Sequence, residues 1–333
     1  MKILLITEQR DAKWNGVSFE TLVAAQQIAQ ETKGSIAAVV LGKNVAPLAA
    51  ELSAYQLDEI LLAEHDLLEK YTPDAYAIAL RQIVESANPD LVLLPHTYQV
   101  RDFAPKLAAS LGKGPLGRGM IGDCVGHRYE NNKLVFVRQM FQGRTAADVV
   151  FTGEPPWIAS FQAGAFRADL VAKSPTAQAP VKPIAVELKP EQIRTKPLDL
   201  FREAKQAVDL TQAPILVSVG RGIKAPENIA LAEKLAKLMG GEVSASRPIC
   251  DEGWLPMDRQ IGSSGQTVSP KLYLALGISG AIQHVVGMKG SRTIAAINKD
   301  ANAPIFEVAD YGVVGDLFEI VPALIEQLEK TTS

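Results

Sequence analysis

The chain has 333 residues, of which 47% are hydrophobic and 21% are charged, and its formal net charge is −3 at pH 7. This composition is typical of a globular protein with hydrophobic cores, and a chain of this length is most economically folded as two domains. A slightly negative chain has no general electrostatic attraction to nucleic acid or to an anionic membrane, so neither is expected as a partner.

The first half of the chain alternates short apolar runs with segments of helical periodicity. Such alternation predicts βαβ units and a mostly parallel sheet. The predicted strands are residues 3–6, 36–41, 59–62 and 91–94, and the predicted helices between them are residues 18–32, 73–86 and 102–111.

From residue 124 onward the pattern changes to consecutive β-rich runs. Two asparagines at 131–132 separate the runs 127–130 and 134–139, and such a pair is typical of a hairpin turn. Further strands are predicted at residues 149–152 and 157–161. The sheet of the first half is therefore expected to be mixed.

Five prolines then interrupt a polar segment that cannot form a long helix. They are Pro175, Pro180, Pro183, Pro190 and Pro197. This composition predicts a boundary near residue 200, with an N-terminal α/β domain at 1–200 and a second domain at 201–333. The same segment has room for an edge strand at residues 185–188.

The second half resumes the α/β pattern and predicts a doubly wound sheet of five strands. The predicted strands are residues 215–219, 242–246, 272–276, 293–297 and 305–308. Pro226 is typical of the first turn of a helix, which is expected to end at Gly240 and Gly241. Residues 317–328 have apolar side chains at helical spacing and are predicted to form the last helix.

The stretch 272–316 carries the strongest functional pattern. An apolar run ends in Gly277-Ile278-Ser279-Gly280, and a helix-compatible segment with Gln283 and His284 follows at once. A strand that enters a helix through glycines presents unpaired backbone N–H groups, which suit a phosphate. Polar residues at the ends of parallel strands mark where an open α/β sheet binds its ligand. The glycine spacing is not the full dinucleotide fingerprint, so by itself it does not specify the ligand.

These residues closely resemble the signature of the electron transfer flavoprotein alpha subunit. The resemblance covers essentially the full chain, because residues 1–200 are similar to the less constrained N-terminal domain of that family. The motifs that carry it are Leu272-Tyr273, Gly277-Ile278-Ser279-Gly280-Ala281-Ile282-Gln283-His284, Gly287, Ala296-Ile297-Asn298, Ala309-Asp310-Tyr311-Gly312, Ser246-Arg247, Gly262-Ser263-Ser264-Gly265 and Gly220-Arg221-Gly222.

The resemblance implies two polar side chains beside a flavin ring. On position alone, Arg247 follows a strand and would be a surface arginine that pairs with a carboxylate. In the family, the matching arginine lies over the flavin, where its permanent charge would stabilise the negative charge gained on one-electron reduction. His284 alone would be a surface or satisfied core histidine. The family's matching histidine contacts the pyrimidine end of the ring and implies positive charge there.

The Gly/Ser cluster at 262–265 has two interpretations. It is compatible with a flexible connecting loop. By resemblance, its backbone amides and the Ser264 hydroxyl approach the redox-active nitrogen of the flavin. Many members of the family have Gln-Thr where this chain has Ser263 and Ser264, so the hydroxyl is kept but a long side chain is lost. The resemblance therefore leaves the flavin potential open.

The other implied contacts concern the phosphates and the adenosine. Arg221, which could belong only to a tight turn, would lie near the phosphates, and residues 279–283 would hold the pyrophosphate. Asn298 and Asp316 would reach the adenosine, although they also suit a turn and a helix N-cap. The full set of expected cofactor-binding residues is Arg221, Ser246, Arg247, Ile261, Gly262, Ser263, Ser264, Ser279, Gly280, Ala281, Ile282, Gln283, His284, Asn298, Asp316 and Leu317.

The resemblance implies one subunit of a heterodimeric electron carrier that binds FAD non-covalently in its C-terminal domain. The N-terminal domain is expected to contact a homologous beta subunit, which would complete the flavin site and carry a bound AMP. Electrons would come from acyl-CoA or related flavin dehydrogenases, as in fatty acid β-oxidation, and pass singly to a quinone oxidoreductase. Such a protein breaks no substrate bond, so no catalytic residue is expected.

Two alternatives stay open. Some relatives bifurcate electrons from NADH with a second FAD in the beta subunit, and that choice depends on a chain other than this one. A module that binds an adenine nucleotide without redox work is also compatible with the generic architecture. Arg247 and His284 count against the second alternative, because an adenosine binder needs no cation beside a flavin ring.

Cysteine usage and the start of the chain bear on location. Cys124 and Cys250 lie far apart and outside any metal-ligand or redox spacing, which predicts reduced thiols and no metal site. The apolar run at 3–6 is typical of a first strand rather than of a signal peptide. No uncharged apolar stretch approaches the ~20 residues that cross a bilayer. The expected location is the cytoplasm.

Overall fold

The computed structural model describes residues 1–112, 118–141, 143, 145–174, 178–198 and 209–332. The chain divides into two units, Met1–Leu200 and Phe201–Ser333. Pro175 and the predicted boundary near residue 200 lie outside the described residues. Within those residues, no helix combines the length and the apolar character needed to cross a membrane.

The N-terminal unit contains one large sheet with helices on both faces. In chain order, its described strands and α-helices are β1 (Lys2–Ile6), β2 (Gln9–Arg10), β3 (Lys13–Trp14), α1 (Val17–Thr32), β4 (Ser35–Gly42), α2 (Ala46–Leu52), β5 (Glu59–Glu64), α3 (Pro73–Ala87), β6 (Leu91–Pro95), α4 (Tyr98–Ser110), β7 (Met120–Glu130), β8 (Lys133–Met140), β9 (Thr145–Val149), β10 (Trp157–Phe161) and β11 (Val181–Pro183).

The large sheet is mixed, as the sequence predicts. Its nine strands run in the order β11-β5-β4-β1-β6-β10-β7-β8-β9, and β2 pairs with β3 in a separate ribbon. The strands from β11 to β7 are parallel, whereas β7, β8 and β9 form an antiparallel meander. The parallel part grows from β1 in both directions, so the order reverses between β1 and β6.

Side chains of the central strands alternate between two hydrophobic cores. Ile3 and Leu5 of β1 pack with residues of α1 and α2, while Leu4 and Ile6 pack with residues of α3 and α4. All four are buried, and full burial of such a side chain stabilises the fold by about 1.5–3 kcal/mol. Burial on both faces explains why these strands are continuously apolar in the sequence.

The carboxyl group of Glu8 lies where the strand order of this sheet reverses. Glu8 follows β1, and its carboxylate accepts hydrogen bonds from Thr97 Oγ1 and, at 2.8 Å, from Asn15 Nδ2. Thr97 is the N-cap of α4 and also accepts from the backbone N–H of Val100. Burial raises the pKa of Glu8 above its ordinary value.

The C-terminal unit is a five-stranded parallel sheet. In chain order, its described elements are β12 (Ile215–Val219), α5 (Ile229–Met239), β13 (Glu242–Ala245), α6 (Arg247–Asp251), β14 (Leu272–Leu276), α7 (Ile282–Val285), β15 (Ile294–Asn298), β16 (Tyr311–Val314) and α8 (Leu317–Thr332). The strand order is β13-β12-β14-β15-β16. Neighbouring strands are parallel throughout, which confirms the predicted doubly wound sheet.

The two faces of this sheet are covered differently. Residues of α5 and α8 pack on one face against Val217, Val219 and Leu276. The other face, which includes Tyr273 and Ala275, is covered by irregular chain around residues 261–268, 278–288 and 303–305. The segments expected to bind the cofactor are therefore also the segments that close this core.

Three predicted strands are wrong in position. Residues 149–152 were expected in a strand that instead ends at Val149, as β9. The edge strand expected at 185–188 lies earlier, as β11. Residues 305–308 form part of a 3₁₀-helix, Pro304–Glu307, and the last strand is β16.

Helix boundaries also differ from the sequence prediction. Residues Pro226–Asn228 form a 3₁₀ turn and α5 begins at Ile229, although it ends where expected, with Gly240 in the left-handed conformation at φ 69°. Helix α4 begins four residues earlier than predicted, because Thr97 caps it. The short helix α2 was not predicted.

Candidate functional site

The loops that follow β12 and β14 meet backbone to backbone at the carboxyl edge of the C-terminal sheet. The strand order reverses between these two strands, which is where open α/β sheets bind ligands. The N–H of Gly222 donates to the carbonyl oxygen of Gly277 over 3.1 Å. A Cβ on Gly222 would lie 2.6 Å from Gly277 Cα, and one on Gly220 would lie 2.5 Å from Gly277 O. Only glycine permits this close approach of the two loops, and the crevice expected at the reversal lies beside them.

The structure brings the expected cofactor-binding residues to this one edge. Arg221 follows β12, Ser246 and Arg247 follow β13, residues 279–284 follow β14, Asn298 ends β15, and Asp316 and Leu317 follow β16. Residues 261–264 join them, because Ile261 N–H donates to Ala245 O at the end of β13 over 2.9 Å. The carboxyl ends of parallel strands share an edge, so the chain order alone assembles the set.

The Gly/Ser loop is docked on the segment after β14 rather than free. Ser263 N–H donates to Gln283 O over 2.7 Å. Gly262 has φ 142°, and a Cβ there would lie 2.8 Å from the same oxygen. A Cβ on Gly287 would lie 2.4 Å from Gly262 N. These contacts contradict a flexible connector.

The hydroxyl oxygen of Ser264 accepts a hydrogen bond from the buried side-chain amide of Gln260. Gln260, only 1% exposed, donates from Nε2 to Ser264 Oγ over 2.9 Å. Because that oxygen already accepts a hydrogen bond, the hydroxyl proton of the exposed Ser264 is directed away from Gln260. Sequence reasoning missed Gln260, and no local pattern distinguishes a buried supporting glutamine from a surface one.

The helix after Gly280 is much shorter than the sequence suggests. It contains four residues, Ile282–Val285, so a helix dipole contributes little here. Gly280 has φ 87°, and a Cβ there would lie 2.1 Å from Ile305 N, which itself donates to Ser279 O over 3.1 Å. Residues 281–283 are exposed at the crevice. A pyrophosphate on this segment would meet backbone amides of a turn rather than the end of a long helix.

Arg247 lies where it could be either a surface arginine paired with a carboxylate or an arginine over the flavin. It is the first residue of α6, its side chain is 65% exposed, and its Nε lies 3.2 Å from Asp251 Oδ2 one turn later. An exposed ion pair of this kind is worth roughly 0–1 kcal/mol, so the guanidinium is readily transferred to another partner. Ser246, immediately before it, is buried.

A lysine that the sequence did not single out connects two of the loops. Lys224 Nζ lies 3.6 Å from Asp316 Oδ2 and 4.5 Å from the centroid of the Phe318 ring. Lys224 has φ 69°, an unusual conformation for a residue with a side chain. Together with the exposed Arg221, it gives this side of the crevice a positive charge.

Asp316 and Asn298 have the structural roles that their residue types suggest. Asp316 Oδ1 accepts from Phe318 N–H over 2.9 Å at the start of α8. That hydrogen bond, and then Lys224, hold the pKa of Asp316 below its usual value. Asn298 donates from Nδ2 to Ile278 O over 2.9 Å, and its Oδ1 accepts from Asp300 N–H over 3.0 Å. Contacts of either residue with adenosine stay predictions.

His284 is buried and both of its ring nitrogens are used within the chain. Nδ1 lies 3.1 Å from Ile261 O, and Nε2 lies 2.9 Å from the hydroxyl of Tyr273. Burial lowers the pKa of His284 to about 4, only partly opposed by the hydrogen bond to Ile261 O. The imidazole is therefore neutral at pH 7. This arrangement gives no support to a positive charge on His284, which stays a prediction from the resemblance.

The residues at this edge have the chemistry to hold a dinucleotide with a planar group at one end. Two of its loops meet through glycine backbone so closely that a Cβ would collide with the opposite loop, Arg221 and Lys224 are exposed for phosphates, and Arg247 and Ser264 lie further along the edge. Arginine forms charge-assisted hydrogen bonds to phosphate and stacks on aromatic planes. The fold and this site define a nucleotide-binding α/β unit.

Comparison with known proteins gives the family. Residues 209–289 match the family model described as the electron transfer flavoprotein FAD-binding domain, and residues 3–189 match the electron transfer flavoprotein domain. The chain belongs to the electron transfer flavoprotein alpha-subunit family, its cofactor is FAD, and its role is electron transfer.

Individual relatives match along nearly the whole chain. The chain is 38% identical over 329 residues to electron transfer flavoprotein subunit alpha of Thermoanaerobacterium thermosaccharolyticum, covering 98% of each chain. It is 37% identical to the protein of the same description from Bacillus subtilis, covering 99% of this chain and 98% of that one. It is also 36% identical to the acryloyl-CoA reductase electron transfer subunit beta of Anaerotignum propionicum, covering 98% and 95%.

Proposed function

We propose that this chain is the FAD-carrying subunit of a two-subunit electron carrier that takes electrons from a flavin dehydrogenase and passes them on singly. The observation that carries the proposal is the sheet edge where the two glycine loops meet, with the exposed guanidinium of Arg247 at the same edge. FAD, when bound, supplies both one-electron and two-electron chemistry. The residues of the chain bind it, orient it and set the electrostatic potential around its ring.

Each side of the crevice has a proposed role. Arg221 and the backbone of residues 279–283 hold the two phosphates, and Lys224 adds a second positive charge beside them. Asn298 and Asp316 stand at the adenosine end. These roles are proposed from position and chemistry. Guanidinium and amide groups donate hydrogen bonds to phosphate oxygens, and carboxylate and amide oxygens accept them from hydroxyl and amino groups.

The ring end is assigned to Arg247, Ser264 and the loop around them. The guanidinium carries a permanent charge that favours negative charge on a group stacked against it. The Ser264 hydroxyl, held by Gln260, presents its proton to an acceptor in front of it. Both features stabilise a reduced flavin relative to an oxidised one, and so raise its reduction potential.

The proposed partners follow from family membership. A beta subunit is expected to contact the N-terminal unit, to complete the flavin site and to carry AMP. The donor is proposed to be an acyl-CoA dehydrogenase or a related flavoenzyme, and the acceptor a quinone oxidoreductase. The name of the Anaerotignum propionicum relative, an electron transfer subunit of acryloyl-CoA reductase, supports acyl-CoA chemistry on the donor or acceptor side.

The test is to co-purify the chain with a beta subunit, reconstitute the complex with FAD and reduce it stepwise with dithionite. We expect flavin absorbance bound to the complex and two separate one-electron midpoints. Replacement of Arg247 by glutamine should lower the first midpoint. A complex that takes up AMP but no flavin would instead be a nucleotide-binding module without redox work, and the proposal would be wrong.

A second candidate is a carrier that bifurcates electrons from NADH. The Anaerotignum propionicum relative is described as an electron transfer subunit of a reductase. This description favours electron flow toward an acyl-CoA substrate as well as away from it. This candidate requires a second FAD in the beta subunit. The ratio of flavin to complex separates the two: one FAD per heterodimer supports the simple carrier, and two FAD together with oxidation of NADH support bifurcation.

A further inference from the structure

A buried tyrosine anchors His284 to the sheet beneath the Gly/Ser loop. Tyr273 lies in the second position of β14 and has no exposed surface. Its hydroxyl is 2.9 Å from His284 Nε2, and the two rings meet edge to face with their centroids 6.1 Å apart. Neither the family signature nor the proposed flavin contacts explain why a phenol should be buried here.

The hydrogen bonds of His284 define which nitrogen carries its proton. Ile261 O can only accept, so the nitrogen facing it, Nδ1, must be the protonated one. A neutral imidazole has one ring proton, which leaves Nε2 as an acceptor. The Tyr273 hydroxyl therefore donates to Nε2. Burial also raises the pKa of Tyr273, so the phenol keeps the proton that it donates.

Two serine hydroxyls are further polar groups near the hydroxyl of Tyr273. Ser218 of β12 pairs in register with Ser244 of β13 and with Ala275 of β14, so both hydroxyls lie on the same face as Tyr273. Both oxygens are buried, and within the described residues neither has a partner of good hydrogen-bond geometry. Both are close enough to the Tyr273 hydroxyl to oppose the effect of burial on its pKa. The sheet thus presents a polar pocket to the phenol oxygen.

The other end of this chain of contacts reaches the loop assigned to the flavin. Ile261 precedes Gly262, and its carbonyl oxygen is held by His284 Nδ1–H. The same loop is also held by Ser263 N–H on Gln283 O, next to His284 in the sequence. A link therefore runs from the strand interior through Tyr273, His284 and Ile261 to the backbone that carries Ser264.

We propose that Tyr273 is a positioning residue: by donating to Nε2 it fixes the tautomer and orientation of His284, and through the Ile261 carbonyl it fixes the loop that presents Ser264 to the flavin. In this role His284 links the hydroxyl of Tyr273 to the carbonyl oxygen of Ile261. The inference rests on the proposed function only for its last step, the effect on the flavin.

The first measurement needs no flavin. The complex is prepared with ¹⁵N-labelled histidine, and the His284 signals are assigned by their loss in His284→Phe. We expect a protonated Nδ1 and a hydrogen-bonded, unprotonated Nε2. In Tyr273→Phe the Nε2 signal should move to the position of a free acceptor, and the minor tautomer should become roughly fivefold more populated, the factor set by one net hydrogen bond.

The second measurement follows the loop itself by hydrogen exchange. Tyr273→Phe and His284→Phe should each accelerate exchange of the Gly262 and Ser263 amides by roughly fivefold or more, again the worth of one hydrogen bond. Exchange in α5 and α8, which pack on the opposite face, should stay unchanged. Tyr311→Phe is the matched control, because it removes an exposed phenol from the same unit.

The outcomes separate this inference from the proposed function. An Nε2 signal that is the same in Tyr273→Phe and in the parent protein overturns the inference, as does unchanged exchange of the Gly262 and Ser263 amides. Loosened amides with unaltered flavin midpoints in the reconstituted complex also overturn it, because the loop would then not act on the flavin. A parent complex that binds no FAD refutes the proposed function. The imidazole and exchange data then test only whether Tyr273 and His284 position the loop.

Discussion

Asn298 connects the ends of two neighbouring strands by donating its side-chain amide to the carbonyl oxygen of Ile278, 2.9 Å away. Ile278 belongs to the glycine turn after β14, and Asn298 is the last residue of β15. The same amide group accepts from Asp300 N–H, so one side chain ties together the turn and the loop beside it. The shape of this edge therefore depends on the two hydrogen bonds of the Asn298 side chain.

Replacement of Asn298 by aspartate tests this connection. Aspartate can still accept from Asp300 N–H, but it cannot donate, and its charge would face the Ile278 oxygen. We expect a loss of about 1–2 kcal/mol in the free energy of unfolding and weaker FAD binding. Urea denaturation and calorimetric titration with FAD measure both. Asn302→Asp adds the same charge at an exposed position nearby, and an equal effect there would show that charge, not donation, matters.

Replacement of Gly222 by alanine tests the backbone contact at the floor of the crevice. The added Cβ would lie 2.6 Å from Gly277 Cα, so one of the two loops must move. We expect at least roughly tenfold weaker FAD binding and a loss of about 1–3 kcal/mol in stability, typical of overpacking. Fluorescence titration with FAD measures the first quantity.

Gly240→Ala is the matched control for that experiment. Gly240 has φ 69°, but a Cβ added there would meet no other atom within 4 Å, so the substitution adds backbone strain without a clash. It should cost about 1–2 kcal/mol in stability and leave FAD binding unchanged. Equal loss of FAD binding in both variants would count against the crevice as the site.

Replacement of Arg247 by glutamine tests the electrostatic role of the guanidinium. Removal of a positive charge beside the ring makes the addition of an electron less favourable. We expect the first flavin midpoint to fall by on the order of 60 mV, which is tenfold in a one-electron equilibrium. Arg81→Gln is the control, because Arg81 forms the same kind of exposed pair one helical turn from its partner, Glu85. An unaltered midpoint in Arg247→Gln would remove this residue from the flavin environment.

The buried carboxyl of Glu20 predicts a pH dependence of stability in the N-terminal unit. Burial raises the pKa of Glu20 from its ordinary value to about 7, although Gly164 N–H donates to its Oε2. The folded protein therefore binds a proton that the unfolded chain releases above its ordinary pKa of about 4.5. The resulting stability is present at low pH and is lost as the pH rises through about 7.

Glu20→Gln removes this titration. The shift corresponds to on the order of 3 kcal/mol once the group is fully ionised. We expect urea denaturation to show stability falling between mildly acidic and mildly alkaline pH in the parent protein, and much less so in Glu20→Gln. Glu85→Gln, on an exposed helix face, should behave like the parent. A parent protein with no such fall would contradict the raised pKa.

The three misplaced strands share one position in their sheets. Each true strand, β9, β11 and β16, lies at the edge of its sheet. All residues of β11 and β16 are exposed, and three of the five in β9 are. Two of the apolar runs that predicted strands nearby contain Val186 and Ile305, which are buried outside the ladder, whereas Val150 of the third run is 45% exposed. Apolar pattern reports burial, so it locates central strands correctly and edge strands poorly.

The candidate site was predictable as a set but not in its internal contacts. Parallel topology brings the polar strand ends to one edge, so Arg221, Arg247 and Asn298 could be grouped from the sequence. The support of Ser264 by Gln260 and the anchoring of His284 by Tyr273 depend on side-chain directions that no spacing encodes. His284 shows the consequence: the resemblance implies positive charge there, whereas burial lowers the pKa of its imidazole.

The carboxyl group of Glu8 makes the first sheet differ from the second at the point where the strand order reverses. At the reversal between β1 and β6, where a nucleotide would otherwise enter, a phosphate would have to displace an acid that Thr97 and Asn15 already hold. The chain thus contains two sheet edges of the same topological kind, one occupied by its own carboxyl group and one where two glycine loops meet. The two sheets therefore differ at this point in the side chains of their loops, while both have a reversal of strand order there.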